Sequence, residues 1–323
     1  MTAAVSVREL SRSFRRNRRS APIQALRGVS LRIEPGETLG VVGESGCGKS
    51  TLARLIARLD EPTTGTIEIH GNDVTHIGGQ ELRQLRRSVQ MVFQDPYASL
   101  NPRRRVGTAV EEVLKVHQLA DSPAARAGRV DELLGLVGLD SGFTSRYPSE
   151  LSGGQRQRVG IARALAIEPS IVIFDESVSS LDVSVQAEII NLMVALREQL
   201  DLTYVFISHD LGVVRHIADR IAVMYVGTIQ ELGTWRQDSD DPVHPYTSAL
   251  LGAVPEMRLD DQTGHQQTPV LGEIPNPADP PSGCAFHPRC PYATALCSEE
   301  RPALRTVADR LVACHLAEEI IER

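Results

Sequence analysis

The spacing of apolar and polar positions divides this chain into regions of different character. Residues 39–42 are apolar with one glycine among them, which predicts a short buried strand, and residues 50–56 have helical spacing. Helical spacing recurs at 110–114 and 133–137, inside a mostly helical stretch. From 171 to 232, strand and helix patterns alternate, as in a parallel α/β sheet that binds its ligand at the strand ends.

The amino-acid composition of the sequence changes after about residue 235. Proline and glycine become frequent, as at 272–281, and no long regular elements are predicted there. We therefore predict two domains, 1–235 and 236–323, with a helical subdomain at about 96–165 inside the first.

Composition and charge narrow the function classes. The 323 residues suffice for more than one compact domain, and the formal net charge of -7 argues against a nucleic-acid-binding surface. Basic clusters at 15–19 and 103–105 are interpreted as solvated loops. The chain has no signal-peptide pattern and no apolar run near the roughly 18 residues of a membrane span. We expect a cytosolic chain that reaches the membrane only through partners.

A phosphate-binding loop joins the predicted strand 39–42 to the following helix. Glycines allow backbone N–H groups to turn inward around a phosphate, and the helix N-terminus adds partial positive charge. Lys49 would reach the β- and γ-phosphates, and the Ser50 hydroxyl would hold Mg²⁺. The alternative is a glycine-rich turn that binds nothing. The loop and its ATP-binding set are Gly43, Glu44, Ser45, Gly46, Cys47, Gly48, Lys49, Ser50 and Thr51.

A second motif lies about a hundred positions further along. It consists of Leu151, Ser152, Gly153, Gly154 and Gln155. A helix that opens here would present free N–H groups to an anion. The apolar run 171–174 then ends in Asp175 and Glu176.

With this pair of motifs the chain resembles the nucleotide-binding subunits of ABC transporters over nearly its whole length. The resemblance implies an α/β, ABC-type P-loop fold with a RecA-like parallel sheet core, an antiparallel β subdomain, a helical signature subdomain and a loop-rich C-terminal extension. It also implies that residues 151–155 bind the γ-phosphate of ATP held by the opposite subunit. A bulky side chain at Gly154 would then block closure.

The same resemblance implies roles for further residues. Asp175 supports Mg²⁺ through water, and Glu176 polarises the attacking water. Gln94 contacts Mg²⁺ and that water and links the site to the membrane subunits, and His209 contacts the γ-phosphate. Phe14 stacks on adenine, although a core Phe is the alternative, and Asp182 belongs to the D-loop.

One departure from the family pattern is visible. The family has Pro-Thr after the Asp-Glu pair, whereas this chain has Ser177 and Val178. Neither position carries a phosphate ligand, so the change bears on loop rigidity rather than on catalysis.

The tail contains a cluster of cysteines. Four thiols in a loop-rich segment of a cytosolic protein fit a Cys₄ metal site, which would staple a region poor in apolar residues. Four unrelated reduced cysteines are the alternative. The chain has no Cys-x₂-Cys pair, the spacing that would favour a zinc ribbon. On the resemblance, a [4Fe-4S] cluster is favoured over zinc. The four residues are Cys284, Cys290, Cys297 and Cys314.

The tail also narrows the family. Residues 244–251 and 281–291 resemble the C-terminal extension of oligopeptide and dipeptide importer ATPases. This implies an ATPase at the cytoplasmic face of the cell membrane, working with two transmembrane permease subunits and an extracytoplasmic peptide-binding protein. A second ATPase subunit is expected, with a paralogue favoured over a homodimer. An importer of nickel or another solute, or a soluble ABC ATPase of DNA repair or translation, are the alternatives.

Overall fold

The computed structural model describes residues 2–15, 22–93, 100–179, 181–234, 242–252, 275–276 and 278–322. The predicted domain boundary near residue 236 and Gln94 lie outside these residues, as do residues 16–19 of the basic cluster and residues 272–274 and 277 of the segment 272–281.

Strands and helices alternate through much of the chain, and the predicted α/β class is confirmed. The strands are β1 (Val5–Phe14), β2 (Ile23–Ile33), β3 (Thr38–Val42), β4 (Thr64–Ile69), β5 (Asn72–Asp73), β6 (Val89–Val92), β7 (Ile171–Asp175), β8 (Thr203–Ile207), β9 (Arg220–Tyr225), β10 (Thr228–Thr234), β11 (Arg305–Val307) and β12 (Arg310–Val312). The helices are α1 (Lys49–Ile56), α2 (Gly79–Ser88), α3 (Val106–Val116), α4 (Pro123–Leu136), α5 (Gly153–Leu165), α6 (Val183–Leu200), α7 (Leu211–Ile217), α8 (Pro245–Gly252), α9 (Ala295–Glu299) and α10 (Ala317–Ile321). Single 3₁₀ turns form at Ser141–Ser145, Pro148–Glu150 and His287–Arg289.

The chain forms two compact units, and the first comprises Met1–Ile33, Thr38–Thr75 and Ser208–Arg323. Its antiparallel sheet has the order β2-β1-β4-β5. In a second set of strands, β3 runs parallel to β9, and β9, β10, β12 and β11 follow as antiparallel neighbours. Every residue of β3 is buried, as the apolar run predicted. This strand delivers the chain to the phosphate loop.

The C-terminal segment, meaning the described residues from 242 onward, is built into this first unit. Strand β12 extends the sheet at β10, and the Ala313 N–H donates to the Gln230 carbonyl at 2.8 Å. A small apolar cluster stabilises the segment, formed by Val243, Val307, Val312, Cys314 and Ala317. The segment therefore has a core of its own, which its composition did not suggest.

The second unit comprises Glu34–Glu37 and His76–Ile207. Its strands β6, β7 and β8 are parallel neighbours in that order. Helices α3, α4 and α5 pack together, which agrees with the helical stretch predicted between 96 and 165. In the described part of the chain, no helix combines the length and the apolar character that crossing a bilayer requires.

Candidate functional site

The phosphate loop connects β3 to α1 through glycines whose conformations exclude side chains. Gly43 has φ 149°, and a Cβ added there would lie 2.1 Å from the Met224 carbonyl oxygen. Gly48 has φ 109°, and its added Cβ would lie 2.4 Å from the Ala25 carbonyl oxygen. Helix α1 begins directly after Gly48 without a side-chain cap. The backbone amides of this turn thus suit a phosphate group.

Lys49 is folded back onto the loop that contains it. Its side chain is 4% exposed, and its Nζ donates to the carbonyls of Gly43 at 2.7 Å and Glu44 at 3.0 Å. A buried ammonium resting on carbonyls beside an uncapped helix start is suited to an anionic ligand. The residues therefore fit a nucleoside triphosphate with Mg²⁺, with Lys49 on the phosphates and Ser50 on the metal ion.

Cys47 lies inside the loop, and the sequence pattern assigns it no role separate from the loop. Its Sγ lies 3.9 Å from the Lys49 Nζ, and its carbonyl accepts from the Gly227 N–H at 2.9 Å. Burial raises the pKa of the Cys47 thiol, and the Lys49 charge opposes that rise. The thiol is therefore neutral and acts as packing within the loop.

Phe14 and His209 also belong to the first unit. Phe14 ends β1, is 37% exposed, and has the Arg12 guanidinium 4.7 Å from its ring centroid. Because the ring is partly exposed, Phe14 is not the core residue that the alternative interpretation predicts. His209 is exposed in a turn where the Asp210 N–H donates to the Ser208 hydroxyl at 2.9 Å. Asp210 in turn caps α7.

Asp175 and Glu176 lie at the carboxyl end of β7 in the second unit. Asp175 is the last residue of the strand, and both residues are half-buried. Glu176 has φ 47°, a left-handed conformation that is rare outside glycine. Its N–H donates to the Ile207 carbonyl at 3.0 Å, and its own carbonyl accepts from the Ser179 hydroxyl at 2.9 Å. A fixed, strained backbone at a carboxylate is typical of functional sites.

The departure at Ser177 and Val178 is accommodated in the interior. Both side chains are 1% exposed. Together with the hydrogen bonds from Ser179 to Glu176, this burial fixes the turn that follows the carboxylates.

The signature segment, residues 151–155, begins α5 with a reciprocal cap. The Gln155 N–H donates to the Ser152 hydroxyl at 3.3 Å, and the Ser152 N–H donates to the Gln155 Oε1 at 3.0 Å. The predicted free helix N-terminus is therefore partly satisfied by its own side chains. Leu151 is buried at 3% exposure and serves the core.

The glycines of the signature face neighbours within the second unit. A Cβ added at Gly154 would lie 2.4 Å from the Val185 Cγ1, and one added at Gly153 would lie 3.1 Å from the Leu181 Cδ2. Gly154 is thus required for packing α5 on α6, so a bulky residue there would disturb its own subunit as well as any ligand. Asp182 is exposed at the start of α6, and its neighbour Val183 is 82% exposed.

The four tail cysteines line one cavity, together with His244 and Phe286. The iron–sulfur prediction is nevertheless wrong. Among the residues that the structure describes, no group of three or more His, Cys, Asp or Glu side chains is placed to hold a metal ion. The thiols in question are those of Cys284, Cys290, Cys297 and Cys314.

Physical reasons account for this correction. Burial raises the pKa of the Cys284, Cys290 and Cys314 thiols, so these side chains are neutral in this arrangement. The Cys314 Sγ accepts the Leu316 N–H at 3.4 Å, and the Cys297 Sγ lies 3.4 Å from the Thr294 hydroxyl. The apolar cluster of the tail also removes the need for a metal staple.

The sequence did not indicate several residues that contact the phosphate loop. Tyr246 and Arg289 hydrogen-bond to Glu44, and Tyr225 hydrogen-bonds to Arg289. Residues 244–251 and 281–291 stood out only by their resemblance to an importer tail. No local sequence pattern indicates that a tyrosine or an arginine contacts a loop more than two hundred positions away.

Comparisons with known proteins comprise two family profiles and individual relatives. The profile of the ABC transporter family matches residues 26–179, and that of the oligopeptide/dipeptide transporter C-terminal region matches 231–297. The oligopeptide transport ATP-binding protein AppF of Bacillus subtilis is 50% identical over 301 residues, covering 93% of this chain and 91% of that protein. The di/tripeptide transport ATP-binding protein DppF of Pseudomonas aeruginosa is 47% identical over 325 residues, covering 99% and 100%.

Solved structures support the ABC-type fold. The dimeric ATP-binding cassette MJ0796 bound to ADP and Pi is 32% identical with a TM-score of 0.64, covering 72% of this chain and 99% of that one. The cbiO1 protein of Clostridium perfringens is 27% identical with a TM-score of 0.65, covering 73% and 90%. The predicted fold class and the resemblance are both confirmed.

Proposed function

The chain belongs to the ABC transporter family, among the oligopeptide and dipeptide ATP-binding proteins, and from this premise we propose that it powers the import of short peptides across the cytoplasmic membrane. It is an ATPase by family. The observation that carries the proposal is the phosphate loop, in which glycines exclude side chains and a buried Lys49 rests on carbonyls.

In ATP binding, the phosphate loop supplies Lys49 and backbone amides to the phosphates. Lys49 exchanges the Gly43 and Glu44 carbonyls for the β- and γ-phosphates, while the amides at the start of α1 hold phosphate oxygens. The Ser50 hydroxyl would hold Mg²⁺ and Asp175 would support it through water, and the ion would neutralise charge on the phosphates. Phe14 stacks on adenine with the face that Arg12 does not cover.

Hydrolysis needs positioning and charge stabilisation more than covalent chemistry. Glu176 orients the attacking water and accepts its proton, and the strained backbone at φ 47° fixes the carboxylate. His209 binds the γ-phosphate from its exposed turn. Gln94 would contact Mg²⁺ and the attacking water, and it would couple the site to the membrane subunits.

The signature acts on ATP held by a second ATPase subunit. Ser152, Gly153 and Gly154 contribute donors to that γ-phosphate, and Asp182 lies at the same interface. A paralogue is favoured as the second subunit. Closure around ATP and release after hydrolysis supply the two states that coupled transport requires.

The remaining partners follow from import. Two permease subunits form the pathway and an extracytoplasmic binding protein delivers the peptide, with this chain peripheral at the cytoplasmic face of the membrane. No nucleic acid is involved, consistent with the net charge of -7.

Reconstitution in proteoliposomes tests the proposal. The chain is assembled with its second ATPase, both permease subunits and the binding protein, and labelled di-, tri- and oligopeptides and nickel are offered with ATP. We expect ATP-dependent peptide uptake that is lost in Glu176→Gln. Uptake of nickel without peptide, or failure of the chain to associate with the membrane subunits, would contradict it.

A further inference from the structure

Glu44 of the phosphate loop is held at its backbone and at its side chain. Its N–H donates to the Tyr246 hydroxyl at 2.9 Å, and its carbonyl accepts from the Lys49 Nζ at 3.0 Å. Its carboxylate is bound by Arg289, whose Nη1 and Nη2 donate to Oε2 and Oε1 at 2.9 and 3.0 Å. Tyr246 and Arg289 lie 202 and 245 positions further along the chain. The C-terminal segment therefore binds the phosphate loop directly through hydrogen bonds to Glu44.

The side chains of Arg289 and Glu44 are largely shielded from water. The Arg289 side chain is 7% exposed and that of Glu44 is 21% exposed. The Arg289 Nη1 also donates to the Tyr225 hydroxyl at 3.2 Å. The Tyr225 and Tyr246 rings lie 4.5 Å apart, and Phe286 lies 5.4 Å from each, measured between centroids. The aromatic cluster thus fixes both groups that hold Glu44.

The charge of Glu44 would by itself oppose phosphate binding. A carboxylate in the loop repels the anionic ligand, and a partly buried site screens this repulsion weakly. The bidentate guanidinium of Arg289 neutralises that carboxylate and fixes its orientation.

Glu44 also determines where Lys49 lies. The Lys49 Nζ donates to the Gly43 and Glu44 carbonyls. The orientation of the Glu44 peptide therefore determines where the Lys49 ammonium lies before ATP binds. Tyr246 fixes that orientation through the Glu44 N–H.

We propose that Arg289 and Tyr246 are positioning residues through which the C-terminal segment sets the ATP affinity of the phosphate loop. The segment acts on Glu44 by neutralising its carboxylate and by fixing its peptide plane. This inference rests on the proposed function only in that the loop binds ATP.

The experiment measures the affinity of the full-length chain for a fluorescent ATP analogue with Mg²⁺, well below the unfolding temperature. Arg289→Gln should raise Kd about tenfold, and Glu44→Gln added to it should recover most of the loss because the uncompensated carboxylate is gone. Tyr246→Phe, which removes a single hydroxyl, should also weaken binding.

Matched controls separate positioning from folding. Arg305→Gln removes another arginine of the C-terminal segment, which pairs with Glu318, and Arg8→Gln removes an exposed arginine of β1, which pairs with Glu68. Neither residue hydrogen-bonds to the loop, and both variants should keep the wild-type Kd.

Equal affinities of Arg289→Gln and the controls would overturn the inference, as would failure of Glu44→Gln to restore binding in the Arg289→Gln chain. If Arg289→Gln does not fold, unchanged binding by Tyr246→Phe overturns it. Absence of ATP binding in the wild type would instead refute the proposed function.

Discussion

The Glu231 carboxylate and the Arg310 guanidinium lie 3.3 Å apart, and their side chains are 0% and 6% exposed. The same carboxylate accepts the N–H groups of Val243 at 3.1 Å and His244 at 2.9 Å. One buried charge on β10 therefore anchors both the start of the C-terminal segment and strand β12.

Replacing Glu231 by Gln should destabilise the chain strongly. The change leaves the Arg310 charge buried without its counter-ion, which costs about 3–5 kcal/mol. Urea unfolding measures the loss. Arg8→Gln, which breaks an exposed pair with Glu68, is the control and should cost about 1 kcal/mol or less. Equal effects of the two variants would show that the buried pair is not an anchor.

Glu176→Gln should abolish hydrolysis while leaving ATP binding intact. The loop residues that hold the nucleotide are unchanged, and removing a positioned base costs about 10² or more in rate. Phosphate release by the assembled transporter and the Kd for ATP give the two readings. Glu188→Gln, at an exposed partner of Arg158, is the control. Near-normal turnover in the Glu176 variant would refute its role.

Ser152→Ala should weaken ATP-driven association of two ATPase subunits without weakening ATP binding to one. It loses a helix cap, at about 1 kcal/mol of stability, together with the donor that we propose Ser152 offers to the opposite γ-phosphate. Sedimentation in a Glu176→Gln background measures association.

Ser122→Ala is the matched control for this variant. The Ser122 hydroxyl caps α4 by accepting the Ala125 N–H at 3.1 Å, so its loss should cost similar stability but no association. A Ser152→Ala monomer that binds ATP poorly would contradict the assignment of the signature to the opposite site.

Stability should fall with acid because of His244. Burial lowers the pKa of His244 to about 3, whereas the unfolded value is 6.5. The unfolded state then binds the extra proton between these values, so stability is full above pH 6.5 and is lost as pH falls toward 3. At pH 5 the loss from this site is about 2 kcal/mol.

Unfolding of His244→Asn across this pH range tests that assignment. An Asn side chain can still accept the N–H two residues on, as the His244 Nδ1 does from Tyr246 at 3.0 Å. Its pH profile should be flatter than that of the wild type, whereas His76→Asn, at an exposed position, should keep the wild-type slope. Parallel profiles for the wild type and His244→Asn would rule out this origin.

Features set by neighbours in sequence were predictable. The strand before Gly43, the helix that begins at Lys49 and the carboxylates that end β7 all follow from local patterns of apolar residues and glycine. Each is a strand–turn or turn–helix signal within about ten residues.

Features set by distant neighbours were not predictable. Nothing local shows that Val185 leaves no room for a side chain at Gly154, or that Arg289 binds Glu44. The cysteine spacing suggested a metal site because it carries no information on where the described part of the folded chain places the four thiols. Nor does it show the apolar cluster that stabilises the tail.

The pairing of β10 with β12 limits how far this protein can be trimmed. Residues Glu231 and Leu232 pair with Val312 and Leu311, so a chain cut after β10 would expose a sheet edge and would remove Arg310, the counter-ion of Glu231. Exposed edges of this kind template aggregation. A minimal ATPase ending near residue 235 should accordingly be insoluble, and cassettes that lack such a tail must protect this edge in another way.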